Sequence, residues 1–151
     1  MTKYLLLLLV FGFASCYDYS EPDYNIYVNN QSSCEIVACC GYFYPDTTFE
    51  RYLYHAEIGL GARGIILQYN SVLNLRPENR NDTLSVFILS AATVLNNDWH
   101  SIATNYNILI RYELSNIDIK KLNSIIPFPP SQAMKDMKMY PPYEKILKEV
   151  E

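Results

Sequence analysis

The stretch Thr83–Ala91, TLSVFILSA, constrains the fold more than any other part of the chain. It is rich in β-branched and aromatic residues and follows a polar, turn-like stretch, which is typical of a strand. Successive side chains of a strand point to opposite faces, so its residues fall into two sets. The first set is Leu84, Val86 and Ile88, and the second is Ser85, Phe87 and Leu89.

Short β-type runs recur along the chain and are separated by polar turns or by turns that contain Gly or Pro. They cover residues 24–28, 34–44, 51–60, 64–69, 71–75 and 106–114. Strands spaced by tens of residues and broken by polar turns are typical of a β-sandwich. We therefore predict an all-β fold, a sandwich of two mostly antiparallel sheets.

Two segments are predicted to be helical. NDWHSIAT at 97–104 fits one or two helical turns, with Asn97 or Asp98 as the N-cap. YEKILKEV at 143–150 fits a short amphipathic helix at the end of the chain. Residues 116–126 fit either a strand or a short helix.

Four segments follow from this pattern. They are a signal peptide at 1–16, an acidic, tyrosine-rich arm at 17–24, the β-sandwich domain at 25–126, and a proline-rich connector with a short helix at 127–151. The connector is predicted from Pro127, Pro129 and Pro130, because proline fixes its backbone φ angle.

Residues 1–16, MTKYLLLLLVFGFASC, have the layout of a secretory signal: Lys3, an apolar run, then small residues. The run is shorter than the roughly 20 residues that span a bilayer. Cleavage after Cys16 starts the mature chain at Tyr17, whereas cleavage after Ser15 retains Cys16. Ala-Ser-Cys also fits a bacterial lipobox, and a buried N-terminal helix is a further alternative. We expect a secreted protein without a membrane span.

Composition excludes several function classes. The chain has 151 residues, is 50% hydrophobic and carries a net charge of −4. Removing Lys3 with the signal gives −5, which disfavours nucleic acid and favours basic partners. Five Gly and two His argue against a phosphate-loop enzyme and a multi-histidine metal enzyme. We expect no cofactor and no metal.

Cysteines and glycosylation sequons suggest further features of an exported chain. Cys34, Cys39 and Cys40 are disulfide candidates, as is usual for exported proteins. Cys39 and Cys40 point to opposite faces of a strand, and Cys34 pairs with one of them only if the chain turns between them. Asn30-Gln31-Ser32 and Asn81-Asp82-Thr83 are candidate N-glycosylation sites at Asn30 and Asn81.

Motifs for catalysis are weak. His55 lies in a strand-like run and His100 in the predicted helix, and neither lies in a nucleophile-elbow context. Gly59 to Gly64, GLGARG, has the spacing of a phosphate loop, but β-type residues follow it instead of a helix, which favours a hairpin. Glycosidase chemistry uses a pair of carboxylates, but the acidic residues of this chain are scattered, and no pair is flanked by a cluster of aromatic residues that could stack on a sugar. A binding protein is therefore favoured over an enzyme.

Residues 50–115 resemble the poxvirus immune-evasion (PIE, SECRET-like) domain family. The resemblance is carried by YLYHAEIGLG, GIILQYNSVLNL, RPENRND, LSVFILSA, NNDWHSIAT and NILIRYEL in this order, and upstream by YNIYVNNQSSC. The family includes secreted viral chemokine-binding proteins, the chemokine-binding tail of viral tumour-necrosis-factor receptors, and viral proteins that retain class I histocompatibility molecules or bind co-stimulatory ligands. The resemblance implies a two-sheet sandwich that binds a ligand without catalysis.

We therefore expect a secreted viral protein that sequesters a host chemokine or cytokine through an acidic, tyrosine-rich surface. The candidate ligand-binding residues are Tyr17, Asp18, Tyr19, Glu21, Asp23 and Tyr24 in the arm, and Glu50 and Glu57 on a sheet face. The arm resembles the acidic, tyrosine-rich tails of chemokine receptors, and an ordinary solvated tail is the alternative. Other candidate functions are a binder of a host immune receptor such as a class I histocompatibility or co-stimulatory molecule, a bacterial surface lipoprotein, and a small secreted hydrolase.

Overall fold

A computed structural model of the chain describes residues 25–41, 55–68 and 83–150. Their strands form two sheets, and four short helices accompany them, so the predicted all-β sandwich with short helices is confirmed. The strands are β1 Asn25–Asn30, β2 Ile36–Gly41, β3 His55–Ile58, β4 Arg63–Gln68, β5 Thr83–Ser90, β6 Ile110–Ser115, β7 Ile125–Phe128 and β8 Lys138–Tyr140.

The larger sheet has five strands in the order β3-β2-β5-β6-β8, and all its neighbours are antiparallel. The smaller sheet has three strands in the order β4-β1-β7, in which β1 pairs antiparallel with β4 and parallel with β7. A core of aliphatic residues joins the two sheets. Leu84, Val86 and Ile88 of β5 belong to this core together with Ile26 and Val28 of β1.

The other face of β5 belongs to a second apolar cluster. Phe87 and Leu89 are fully buried there with Val37, Cys39 and Ile102. The two side-chain sets of β5 therefore pack into different clusters, as the alternation in its sequence predicted. Both faces of β5 are buried because a layer of helices covers the outer face of the five-stranded sheet.

That layer consists of α1 (Ala91–Asn96) and α2 (Trp99–Asn105). The predicted helix at 97–104 is confirmed as α2, and Asp98 is its N-cap, since its carboxylate accepts a hydrogen bond from the backbone amide of Ser101 at 2.9 Å. The sequence analysis missed α1, because its residues follow the strand pattern of β5 without a polar break.

The glycine-containing segment 59–62 forms a turn, and β4 follows it instead of a helix. Gly61 adopts a φ of 66°, which favours glycine. The expected hairpin is wrong, however, because β3 and β4 belong to different sheets. The turn carries the chain from the five-stranded sheet to the three-stranded sheet, a crossing that strand periodicity alone does not distinguish from a hairpin.

The C-terminal part contributes more to the sandwich than expected. Residues 116–126 were predicted as strand or helix and contain both, since α3 (Asn116–Lys121) precedes β7. The segment 127–151, expected to be a connector, contains the end of β7, a 3-10 helix at Gln132–Met134 and β8, which pairs with β6. The sheets therefore extend beyond residue 126. The predicted C-terminal helix is α4 (Tyr143–Val150).

Candidate binding surface

Glu57 is the one predicted ligand-binding residue within the described ranges. It lies on β3, at one edge of the five-stranded sheet, and its side chain is exposed. Tyr17, Asp18, Tyr19, Glu21, Asp23, Tyr24 and Glu50 lie outside the described residues, as does the glycosylation candidate Asn81.

An imidazole shares the β3 face of Glu57, and an indole lies near that imidazole. His55 precedes it by two residues on β3 and shares its face. The ring centroids of His55 and Trp99, the first residue of α2, are 6.0 Å apart. An acid, an imidazole and an aromatic ring thus lie close together where β3 meets α2, an arrangement suited to protein contact through charge and aromatic area. His100 is exposed on α2.

The charge of the chain is distributed unevenly. Residues 25–41, 55–68 and 83–150 carry eight acidic and eight basic residues, so their net charge is zero. The negative charge of the chain therefore resides in the remaining segments. Residues 17–24 hold Asp18, Glu21 and Asp23 without any basic residue, directly before the first residue of β1.

Asn30, the other glycosylation candidate, is buried in the structure. It is 0% exposed, and its Nδ2 donates to the carbonyl oxygens of Cys34 at 2.8 Å, Ile58 at 3.1 Å and Gly59 at 3.1 Å. Nδ2 is the atom to which an N-linked sugar is attached, so a glycan there would displace these contacts. The sequon at 30–32 instead forms a turn, in which Asn30 Oδ1 accepts from the backbone amide of Ser32 at 3.0 Å.

The expected disulfide among the described cysteines is not formed. Cys34 is an exposed free thiol, and Cys39 is a buried one. The Cys40 thiol donates to the carbonyl oxygen of Ile66 at 3.0 Å. Cys39 belongs to the cluster under α2 and Cys40 to the core between the sheets, so the prediction that they face opposite ways is confirmed. Burial, and secondarily the neighbouring Cys40, raises the pKa of the Cys39 thiol to about 12.

The opposite edge of the same sheet holds a polar group of side chains that the sequence analysis did not identify. We call Tyr106, Arg111, Glu113, Lys138 and Tyr140 the Arg111 cluster. Arg111 contacts Glu113 Oε1 at 2.9 Å, and Lys138 pairs with Glu113 Oε2. The Arg111 guanidinium lies 5.7 Å from the ring centroid of Tyr106 and 5.6 Å from that of Tyr140, and one of its Nη atoms donates to the Tyr106 hydroxyl.

Strand register explains why these side chains meet. Cross-strand partners share a face, and Arg111 of β6 pairs with Phe87 and Tyr140, while Glu113 pairs with Ser85 and Lys138. The signal in the sequence is the pair of opposite charges two residues apart in an apolar run, YNILIRYEL, at 106–114. In this register the side chain of Glu113 is only 3% exposed.

The described residues contain no cluster of three or more His, Cys, Asp or Glu side chains that could hold a metal ion. No helix among them is long and apolar enough to cross a membrane. Comparisons with protein-family models, curated proteins and solved structures give no match.

Proposed function

We propose that the mature chain is a secreted viral immune-modulating protein that sequesters a host chemokine or cytokine without altering it chemically. The acidic arm at 17–24 recruits the ligand, and the surface around Glu57 adds contacts. The resemblance of residues 50–115 to the immune-evasion family supports this assignment, and the two-sheet sandwich is the fold that this resemblance implies.

The distribution of charge is the observation that carries the proposal. The described sandwich is neutral, whereas the arm concentrates three acids among Tyr17, Tyr19 and Tyr24. A concentrated negative segment attracts a basic protein and raises its association rate, and the attraction falls as salt screens it. Tyrosine adds contact area and a hydroxyl to such a surface.

Binding of the Tyr17–Glu151 product to a panel of basic chemokines and cytokines tests the proposal. Deleting residues 17–24 is expected to raise the dissociation constant by about tenfold or more, mainly through a slower association rate at low salt. A variant with Asp18→Asn, Glu21→Gln and Asp23→Asn keeps the length and the tyrosines of the arm. It therefore shows the effect of the negative charge on binding apart from the effect of chain length.

A matched control removes the same charge elsewhere. Glu35, Asp136 and Glu144 are exposed on the sandwich, and neutralising all three should leave the association rate nearly unchanged. Equal losses in both triple variants would show that total charge, not the arm, drives binding. If no member of the panel binds, while a class I histocompatibility or co-stimulatory molecule does, the proposed ligand class is wrong.

A further inference from the structure

The outer face of the three-stranded sheet carries a row of apolar side chains. Tyr27 of β1 lies in the middle of the row, between its cross-strand partners Ile65 of β4 and Ile125 of β7, which share its face. The alternate residues of β1, Ile26 and Val28, belong to the core between the sheets. Ile65 is 45% exposed, and Tyr27 and Ile125 are half-buried.

Three cations border this row. Arg63 is the one charged residue in the strands β1, β4 and β7, and its guanidinium lies 5.8 Å from the ring centroid of Tyr27. Lys120 and Lys121 are exposed at the end of α3, just before β7. They lie near the end of the sheet where β1 begins, since the backbone amide of Tyr27 donates to the carbonyl oxygen of Ser124 at 2.9 Å. Among the described residues, no ion pair involves any of these three cations.

The arm at 17–24 is complementary in charge to this surface. We call Tyr27, Arg63, Ile65, Lys120, Lys121 and Ile125 the Tyr27 face. The segments that hold it, residues 25–30, 63–68 and 119–128, contain three basic and no acidic residues. The arm contains three acidic and no basic residues, and it ends directly before Asn25, the first residue of β1. Opposite charges in such proximity attract each other.

The arm is also long enough to reach every part of the face. Arg63 pairs with Asn29, four residues along β1 from Asn25, a distance of about 13 Å. Eight residues span up to about 26 Å when extended, so the arm can reverse direction and return along β1 as far as Arg63. Because the arm is joined to the sheet, docking is intramolecular, and weak contacts suffice.

We propose that the arm of the ligand-free protein docks on the Tyr27 face of its own domain. Its acids pair with the three cations, and its tyrosine rings cover Ile65. The arm is aromatic as well as acidic, which suits a face that combines an exposed apolar side chain with positive charge. This inference goes beyond the proposed function, since it concerns the protein without a ligand. A basic ligand that binds the arm has to displace it from these cations.

Paramagnetic NMR on the mature Tyr17–Glu151 chain tests the proposal. A nitroxide is attached to the α-amino group of Tyr17 near neutral pH, where this amine reacts ahead of lysine. The relaxation enhancement of the backbone amides of Asn29 and Arg63 is then measured, because these lie at the far end of the face from Asn25. Strong enhancement is expected at low salt, with a loss of about fivefold at high salt.

Matched variants separate this surface from the total charge. Lys120→Gln with Lys121→Gln should lower the enhancement at Arg63 about fivefold. Lys135→Gln with Lys145→Gln makes the same change at exposed lysines outside the face and should leave the enhancement unchanged. The variant with three neutralised arm acids has the same length and gives the background for an undocked arm. Thermal unfolding verifies that each variant folds.

Three outcomes overturn the proposal. The first is an enhancement at Asn29 and Arg63 no larger than in the variant with the neutralised arm. The second is an equal loss in both lysine pairs. The third is an equal enhancement when the nitroxide and the isotope label are on different molecules, which would make a second copy of the chain the partner of the arm. Since no chemokine enters this experiment, its failure is distinguishable from a failure of the proposed function.

Discussion

The side-chain amide of Asn30 donates to the backbone carbonyl oxygen of Ile58 at 3.1 Å, and this bond connects the two sheets. Asn30 ends β1 of the three-stranded sheet, and Ile58 ends β3 of the five-stranded sheet. The same amide group also contacts the carbonyl oxygens of Cys34 and Gly59, so its two N–H donors are shared among three acceptors. One buried side chain thus serves three backbone carbonyl groups at the end of β3 and in the adjoining turns.

Asn30→Asp is therefore expected to destabilise the fold strongly. A carboxylate of the same shape cannot donate, so three carbonyls lose a donor and a charge is buried beside them. We expect a loss of about 3–5 kcal/mol in the free energy of unfolding, measured by urea denaturation. Asn29→Asp, at the neighbouring half-buried position, should cost less than about 1 kcal/mol.

The same geometry predicts that the folded, exported protein has no glycan at Asn30. Glycopeptide mass spectrometry of protein secreted from eukaryotic cells should find the 30–32 sequon unmodified, whether or not Asn81 carries a sugar. A glycan at Asn30 in correctly folded protein would contradict the buried position of that side chain.

Gly64→Ala is expected to destabilise the sandwich by overpacking. A Cβ at position 64 would lie 2.6 Å from Cγ1 and 2.8 Å from Cδ1 of Ile58, and 3.1 Å from Cβ of Ala56. Relief of these contacts requires a shift of the buried Ile58 side chain or of the β4 backbone, for which we expect a cost of about 1–3 kcal/mol. Gly59→Ala is the control, since a Cβ there meets nothing within 4 Å. Chemical denaturation should show a clearly larger loss in the free energy of unfolding for Gly64→Ala than for Gly59→Ala.

Cys34 should react with iodoacetamide under native conditions, whereas Cys39 and Cys40 should not. Cys34 is exposed in the turn between β1 and β2, while the other two thiols are buried. Peptide mapping after a timed reaction, with Cys34→Ser as control, locates the adduct. Labelling of Cys39 at the rate of Cys34 would mean that the cluster under α2 opens readily.

The sequence predicted most elements of the fold because alternation and capping are local properties. The two faces of β5 and the Asp98 cap of α2 follow from residues within a few positions of each other. Features that depend on distant partners were wrong or missed. The burial of Asn30 requires Ile58 and Gly59, and the turn after β3 joins two sheets instead of forming a hairpin.

In the candidate sites, too, features that depend on residues distant in the sequence were missed. Sequence placed Glu57 on a strand without showing which face is exposed, and Trp99, whose ring lies near His55 on the same face, comes from a helix more than forty residues later in the chain. The Arg111 cluster was missed because it depends on the β6–β8 register, and the segment holding β8 was expected to be a connector. Long-range pairing is not encoded in the spacing of residues within one run.

Alkaline pH should destabilise the protein through Cys39. Burial raises the pKa of its thiol from 9.0 to about 12, so the folded state keeps a proton that the unfolded chain has lost. The stabilisation is complete below pH 9 and is lost as pH rises from 9 toward 12. Burial also raises the pKa of the Tyr112 hydroxyl, so the folded protein loses further stability as the pH rises above 10.

Between pH 8.5 and 10, the Cys39 contribution alone should lower the free energy of unfolding by about 1 kcal/mol. Urea titrations under reducing conditions measure this, with fluorescence of Trp99, the single Trp of the chain, as the signal. Cys39→Ala should be less stable at pH 7, because it leaves a small cavity, yet lose about 1 kcal/mol less over this pH interval. Cys34→Ala is the matched control, since it removes a thiol that is exposed instead of buried. Parallel pH profiles for wild type and Cys39→Ala would mean that the Cys39 thiol ionises as easily in the folded chain as in the unfolded one.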